Sequence, residues 1–185
     1  MEKIPTLFVR NPENMKLVTR EVNPDAAWVL EGYGIPTVKK DGTNVRVTVE
    51  KGIGTLLEKR RNPTREEKAQ GQEPGYVLAN PDDPADKHLF SAVQFTRFDD
   101  WPDGVYSCEA LGPKIQGGVE SAVPCLYPFI LRPEHITEWG ARDFDTIRDY
   151  LETHAIEGIV WHDLPLRRFA KIKRRDFGLP WPVRH

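Results

Sequence analysis

The sequence predicts an α+β fold with mostly antiparallel sheets and flanking helices, and three observations lead there. Val45-Arg46-Val47-Thr48-Val49 alternates apolar with polar, and Lys51-Gly52 turns it into a second extended run from Ile53 to Glu58, the pattern of a hairpin. Helical spacing recurs between the strands, but with no βαβ rhythm and no internal repeat. The chain is 39% hydrophobic and 29% charged, which suits a globular domain with a core of its own.

The elements follow in order. Residues 62–84 are rich in Pro, Gly, Asn and charge and read as a loop with a helical turn at Arg65 to Gln70. Leu89, Ala92, Val93 and Thr96 fall on one helical face, predicting a helix from Pro84 to Phe98. Asp103-Gly104 opens a strand through Val105 to Leu111, which Gly112-Pro113 stops. Tyr127 to Leu131 reads as a short buried strand. Asp143 is placed to N-cap a helix whose inner face carries Phe144, Ile147, Tyr150 and Leu151. Gly158 to Trp161 and Phe169 to Lys173 read as two further strands. No shift in composition marks a boundary, so residues 1–185 are expected to form a single domain.

Charge and composition narrow the function classes. The net charge of −2 argues against a histone-like binder. The average hides a pattern. From Asp163 to Asp176 six basic residues face two acidic ones, Lys59-Arg60-Arg61 is a second basic cluster, and Glu134 to Glu152 holds six acids against two bases. A phosphate-bearing ligand would seek the basic segments. The longest uncharged apolar stretch, Ala122 to Leu131, is ten residues with two prolines, against about 20 for a membrane helix. No secretory signal opens the chain, and Cys108 and Cys125 fit neither a disulfide framework nor a zinc site. A cytoplasmic protein without a membrane partner is expected. His88, His135, His154, His162 and His185 lack zinc-like spacing and read as structural or surface groups. Trp181 reads as an anchor for the tail, and Asp82-Asp83 as a solvated loop.

Four stretches carry the chemistry: Lys39-Lys40-Asp41-Gly42-Thr43-Asn44, Tyr106 to Gly112 around Glu109, Glu157-Gly158-Ile159-Val160-Trp161, and Lys171-Ile172-Lys173. Lys171 and Lys173 stand two apart on a strand, so both ammonium groups leave the same face while Ile172 turns to the core. Such a pair makes a good phosphate clamp. Asp41-Gly42 is a turn signal that leaves Lys39 at the mouth of a sheet. Glu157, just before an apolar strand, is a carboxylate at a sheet edge, suited to a divalent cation. Each stretch alone is common. A Lys-x-Asp-Gly, a Glu-Gly-apolar-Val and a Lys-apolar-Lys in this order would arise by chance in on the order of one chain in ten thousand.

Together they resemble motifs I, III, IV and V of the covalent nucleotidyltransferase superfamily, which includes ATP-dependent RNA and DNA ligases and mRNA capping enzymes. Asp41-Gly42-Thr43-Asn44-Val45-Arg46 resembles RNA ligases in particular, as do Gly112-Pro113-Lys114-Ile115-Gln116-Gly117 and the stretch from Lys171 to Gly178. The resemblance runs from Lys39 to about Pro182 and implies a nucleotidyltransferase fold, an ATP-grasp-like ligase core. It implies that Lys39 is the nucleophile forming a lysyl-AMP phosphoramidate and that Glu109 contacts the ribose. Glu157 would help bind Mg²⁺ or Mn²⁺, and Lys171 and Lys173 would hold the α-phosphate and the leaving pyrophosphate. Arg60 or Arg61 would match a nucleotide-binding arginine, and Phe129, with Tyr127 as the other candidate, would stack on the base. The implied activity is ATP-dependent RNA ligation in RNA repair: AMP passes from Lys39 to an RNA 5′-phosphate, which is then sealed to a 3′-hydroxyl.

The chemistry agrees with this. A lysine of ordinary pKa, about 10.4, is protonated and not nucleophilic, and nearby cations favour its neutral form. Departures from the family pattern matter as well. No OB or other C-terminal domain is visible in these 185 residues, so a stand-alone nucleotidyltransferase domain is expected, its grip on RNA coming from its own surface or a partner protein. Val38 precedes the lysine where many RNA ligases carry an acid. The rival readings are a DNA-nick ligase or GTP-using nucleotidyltransferase, a nucleotide- or RNA-binding module without turnover, and an enzyme that modifies a protein.

Overall fold

The computed structural model describes residues 4–183, so His185 lies outside the described residues. Along the chain run β1 (Phe8–Asn11), β2 (Asn14–Val22), β3 (Ile35–Lys39), β4 (Thr43–Glu50), β5 (Ile53–Arg61), α1 (Arg65–Ala69), β6 (Gly75–Leu78), α2 (Lys87–Phe95), β7 (Gly104–Leu111), β8 (Cys125–Pro128), α3 (Phe144–Thr153), β9 (Gly158–Asp163) and β10 (Arg168–Lys173). The fold is α+β, its sheet ladders antiparallel and its helices few. Among the described residues no helix is long and apolar enough to cross a membrane. The chain forms two compact units, one of residues up to Lys40 and from Glu134 on, the other Asp41–Pro133.

In the first unit β10, β9 and β3 form a three-stranded sheet in that order, and β1 pairs with β2. Residues 5–7 continue the sheet beyond β10. The Leu7 N–H donates to the Lys171 carbonyl at 2.8 Å and the Lys171 N–H to the Pro5 carbonyl at 3.0 Å. The core joins Phe8, Trp28, Ile159, Trp161 and Ile172 to Ile147 and Leu151 of α3. Burying each such side chain contributes roughly 2 kcal/mol. Asp143 caps α3 as its sequence predicts, its carboxylate accepting from the Thr146 N–H at 2.9 Å.

In the second unit the strand order is β6-β5-β4-β7-β8. The alternation of β4 buries Val45, Val47 and Val49 fully, and α2 sets Leu89 and Ala92 against them with Phe98, Trp101 and Cys108. Burial, with the neighbouring Glu109 charge, pushes the Cys108 thiol up to about 12, so this cysteine is a core group.

Three elements differ from their sequence expectation. The helix expected from Pro84 begins at Lys87, because Asn80 to Asp86 is knit as a turn: Asp83 accepts from the Ala85 N–H at 2.9 Å and Asp86 from the Asn80 N–H at 2.9 Å. The strand expected at Tyr127 to Leu131 lies at Cys125–Pro128. Its ladder with β7 runs from Leu111↔Cys125 to Cys108↔Pro128, and one further hydrogen bond, from the Phe129 N–H to the Ser107 carbonyl at 3.3 Å, follows it. The expected loop at 62–84 contains β6, which pairs with the end of β5.

Candidate active site

Lys39, Lys171 and Lys173 leave one face of the sheet in the first unit. Register puts Lys39 opposite Gly158 and Gly158 opposite Lys173, with Thr37, Val160 and Lys171 in the next row. The alternating residues Val38, Ile159 and Ile172 turn into the core on the other face.

Glu157, immediately before β9, is 4% exposed and receives two ammonium groups. Lys39 Nζ lies 2.5 Å from its Oε2 and Lys173 Nζ 2.8 Å from its Oε1. Lys39 Nζ also donates to the Lys40 carbonyl at 3.1 Å, while Lys40 pairs with Glu134 at 2.7 Å. A carboxylate so buried is stable only with such partners, and removing one from a buried pair costs about 3–5 kcal/mol. The Glu-Gly dipeptide has a steric cause. A Cβ on Gly158 would sit 2.2 Å from the Ile172 carbonyl oxygen and 2.9 Å from Lys173 Cα, so only glycine lets β10 approach there.

The backbone that carries Lys173 is pinned on both sides. Its N–H donates to Asp176 at 2.8 Å, Asp176 pairs with Arg10 at 2.7 Å, and the Arg174 N–H donates to the Glu157 carbonyl at 2.9 Å. The basic run from Arg167 to Arg175 divides between core and surface. Arg174 is 3% exposed and spends its guanidinium on the carbonyls of Leu151, His154 and Pro180; burial lowers its pKa. Arg168 pairs with Asp163 at 2.9 Å and lies 4.8 Å from the centroid of the Trp28 ring. Both are structural. Lys171, Lys173 and Arg175 line an open groove described below.

His162 and Thr37 also stand on this face. The Thr37 hydroxyl spends its proton on the Val160 carbonyl at 3.0 Å, so His162 Nε2, 3.0 Å from the same oxygen, is the donor. Burial, helped by the nearby His135, brings the His162 pKa down to about 4 and keeps the ring neutral. Among the other histidines, His154 closes α3 and stacks on Tyr150, while His88 and His135 are exposed. No group of three or more His, Cys, Asp or Glu among the described residues is placed to hold a metal ion. Mg²⁺ commonly uses one or two carboxylates with substrate phosphates, and Glu157 is the carboxylate of this cluster.

The second unit holds the remaining sequence candidates. The Gly42 N–H donates to Glu109 Oε1 at 3.3 Å, and a Cβ there would lie 2.3 Å from the Ala110 carbonyl oxygen, which explains the glycine. Glu109 is 9% exposed and faces Asn44 and Tyr127 across its two ladders. By strand alternation Asn44, Arg46, Glu58, Arg60, Tyr76, Glu109 and Tyr127 share one sheet face. Arg61 points to the other face and pairs with Glu67 at 2.7 Å, beside the Thr64 cap of α1. Phe129 lies just past β8, half-buried, with its N–H on the Ser107 carbonyl at 3.3 Å.

Sequence reasoning did not single out Arg46, Glu58 and Tyr76. Arg46 binds Glu58 through two hydrogen bonds of 2.6 Å and lies 4.6 Å from the centroid of the Tyr76 ring, whose hydroxyl donates to Asn44 at 2.7 Å. The available signal was the β4 alternation, which sends Arg46 away from the valine face. No protein-family model and no curated protein matches this chain.

Proposed function

We propose that the chain is an ATP-dependent RNA ligase, or an RNA-ligase-like adenylyltransferase, with the nucleotidyltransferase fold (an ATP-grasp-like ligase core). One observation carries the reading: Lys39 Nζ is held 2.5 Å from a nearly buried carboxylate on a sheet face that also bears Lys171 and Lys173. A core does not need three lysines on one face, whereas transfer of a nucleotide phosphate does.

In this reading Lys39 Nζ, having lost its ammonium proton to solvent, attacks the α-phosphorus of ATP. The N–P bond forms as the bond from the α-phosphorus to the bridging oxygen breaks, and pyrophosphate leaves with that oxygen. Lys171 and Lys173 stabilise the charge gathering on the phosphate oxygens. A Mg²⁺ held by Glu157 together with the substrate phosphates would supply further charge neutralisation. The RNA 5′-phosphate then takes the adenylyl group from Lys39 to form an anhydride. A 3′-hydroxyl attacks the RNA 5′-phosphorus of that anhydride, AMP leaves, and a phosphodiester remains. Glu109, Arg60 and Phe129 would bind the nucleotide, on the strength of the family resemblance.

The test is strand sealing. Wild-type protein with ATP and Mg²⁺ should convert RNA carrying 5′-phosphate and 3′-hydroxyl ends into a sealed product, and Lys39→Ala should not. Parallel reactions with DNA ends and with GTP separate the RNA ligase from its enzymatic rivals.

A further inference from the structure

The first unit contains a groove of about 1230 Å³ between the β1–β2 hairpin and the end of β10. Its walls bring together Arg10, Lys16, Lys171, Lys173 and Arg175, with Asp176 as the acidic group. Asp176 is already matched, since it accepts from Arg10 at 2.7 Å and from the Lys173 N–H at 2.8 Å. Arg10 also donates to the Lys16 carbonyl and the Thr6 hydroxyl, each at 3.3 Å, so it fixes the wall. Lys16 and Arg175 are exposed, the Arg175 guanidinium donating to the Trp181 carbonyl at 2.9 Å, and Met15, 65% exposed, adds an apolar surface at the hairpin tip. All this sits in a chain whose net charge is −2.

A groove of this volume exceeds the roughly 300–1,000 Å³ of ordinary small-molecule pockets, and five cationic side chains line it against one acid. An open groove lined by cations, with apolar surface beside them, matches a strand that presents a phosphate at every residue. We propose that this groove holds the phosphodiester backbone of the 5′-phosphorylated RNA strand and leads its end to Lys171 and Lys173. The inference rests on the adenylyltransferase reading for the identity of the strand, and it names the surface that grips it.

The experiment is fluorescence anisotropy with a 5′-phosphorylated single-stranded RNA carrying a 3′ dye, without ATP, over a series of salt concentrations. The proteins are the wild type, Lys16→Glu, Lys16→Glu with Arg175→Glu, and Lys87→Glu as a charge reversal on α2 outside the groove. Thermal melting confirms that each is folded. The double reversal should weaken binding at least tenfold and flatten the dependence of log K on log salt by about 1.4, some 0.7 for each lost phosphate contact. Lys16→Glu alone should give an intermediate loss, and Lys87→Glu less than twofold. Equal losses in Lys87→Glu, or undiminished binding in both groove variants, would overturn the proposal. Absence of adenylylated wild-type protein, by contrast, would remove the catalytic reading while leaving the RNA-binding result to stand by itself.

Discussion

Lys39 and Glu157, 118 residues apart in the chain, meet at 2.5 Å at one end of a three-stranded sheet. The other carboxylate oxygen of Glu157 holds Lys173 at 2.8 Å, so β3, β10 and the turn before β9 are joined through one buried side chain. The same contact that stabilises the unit fixes where Lys39 Nζ stands on the sheet face.

Glu157→Gln separates these roles. The amide keeps the shape but leaves two ammonium groups facing a neutral partner. The expected result is a loss of stability of about 3 kcal/mol in urea denaturation, with self-adenylylation falling at least a hundredfold in the protein that remains folded. A variant labelled at the wild-type rate would remove Glu157 from the mechanism.

Gly158→Ala should be more damaging than its size suggests. The new methyl would meet the Ile172 carbonyl oxygen at 2.2 Å, which β10 can relieve only by moving Lys173. A loss of more than about 3 kcal/mol is expected, in the range reserved for named steric or burial defects. Gly117→Ala is the control. Its Cβ meets nothing within 4 Å and it bears only the cost of φ +76°, about 1–2 kcal/mol. Similar denaturation midpoints for the two variants would contradict the packing described.

Arg60 and Arg61 should behave differently although they are neighbours. Arg60 shares a sheet face with Glu109 and Tyr127, and Arg61 lies on the reverse beside Glu67. Arg60→Ala is expected to raise the ATP concentration needed for half-maximal labelling at least tenfold. Arg61→Ala should leave labelling intact and cost less than about 1 kcal/mol, as for other exposed ion pairs. The reverse outcome would reassign the nucleotide contact.

His162 gives the protein a defined acid sensitivity. Its pKa is lowered from an ordinary 6.5 to about 4, chiefly by burial. Between these values the unfolded chain binds a proton that the folded chain refuses, so stability is complete above pH 6.5 and declines as pH falls to about 4. The accumulated loss is up to about 3 kcal/mol. Denaturation measured at steps between pH 7 and pH 4.5 should show this slope in the wild type and a flatter one in His162→Asn. Parallel slopes would assign the effect elsewhere.

Local patterns were legible in the sequence wherever one strand or helix face is buried by itself. The β4–β5 hairpin follows from the Val45 alternation and Lys51-Gly52, and α3 from Asp143 with the spacing of Ile147 and Leu151. Elements defined by distant partners were not legible. β3 is short, contains Pro36 and shows no alternation, and it exists as a strand because β9 pairs with it. β6 lies in a segment whose Pro and Gly content signals a loop, and only the end of β5 makes it a strand. At the site, the lysines and Glu157 could be picked out by type and spacing. That Glu157 would take both Lys39 and Lys173 depends on the register of β3, β9 and β10, which no local pattern carries. The Arg10–Asp176 pair depends in the same way on β1 and the turn after β10.

The central claim is that Lys39 becomes covalently adenylylated. The direct measurement is incubation with Mg²⁺ and ATP labelled at the α-phosphate, then a denaturing gel of wild type beside Lys39→Ala, with GTP in parallel. The account predicts label from ATP that stays on the wild-type chain and is missing from Lys39→Ala. Label persisting in Lys39→Ala, or none from either nucleotide on folded protein purified free of bound AMP, would contradict it.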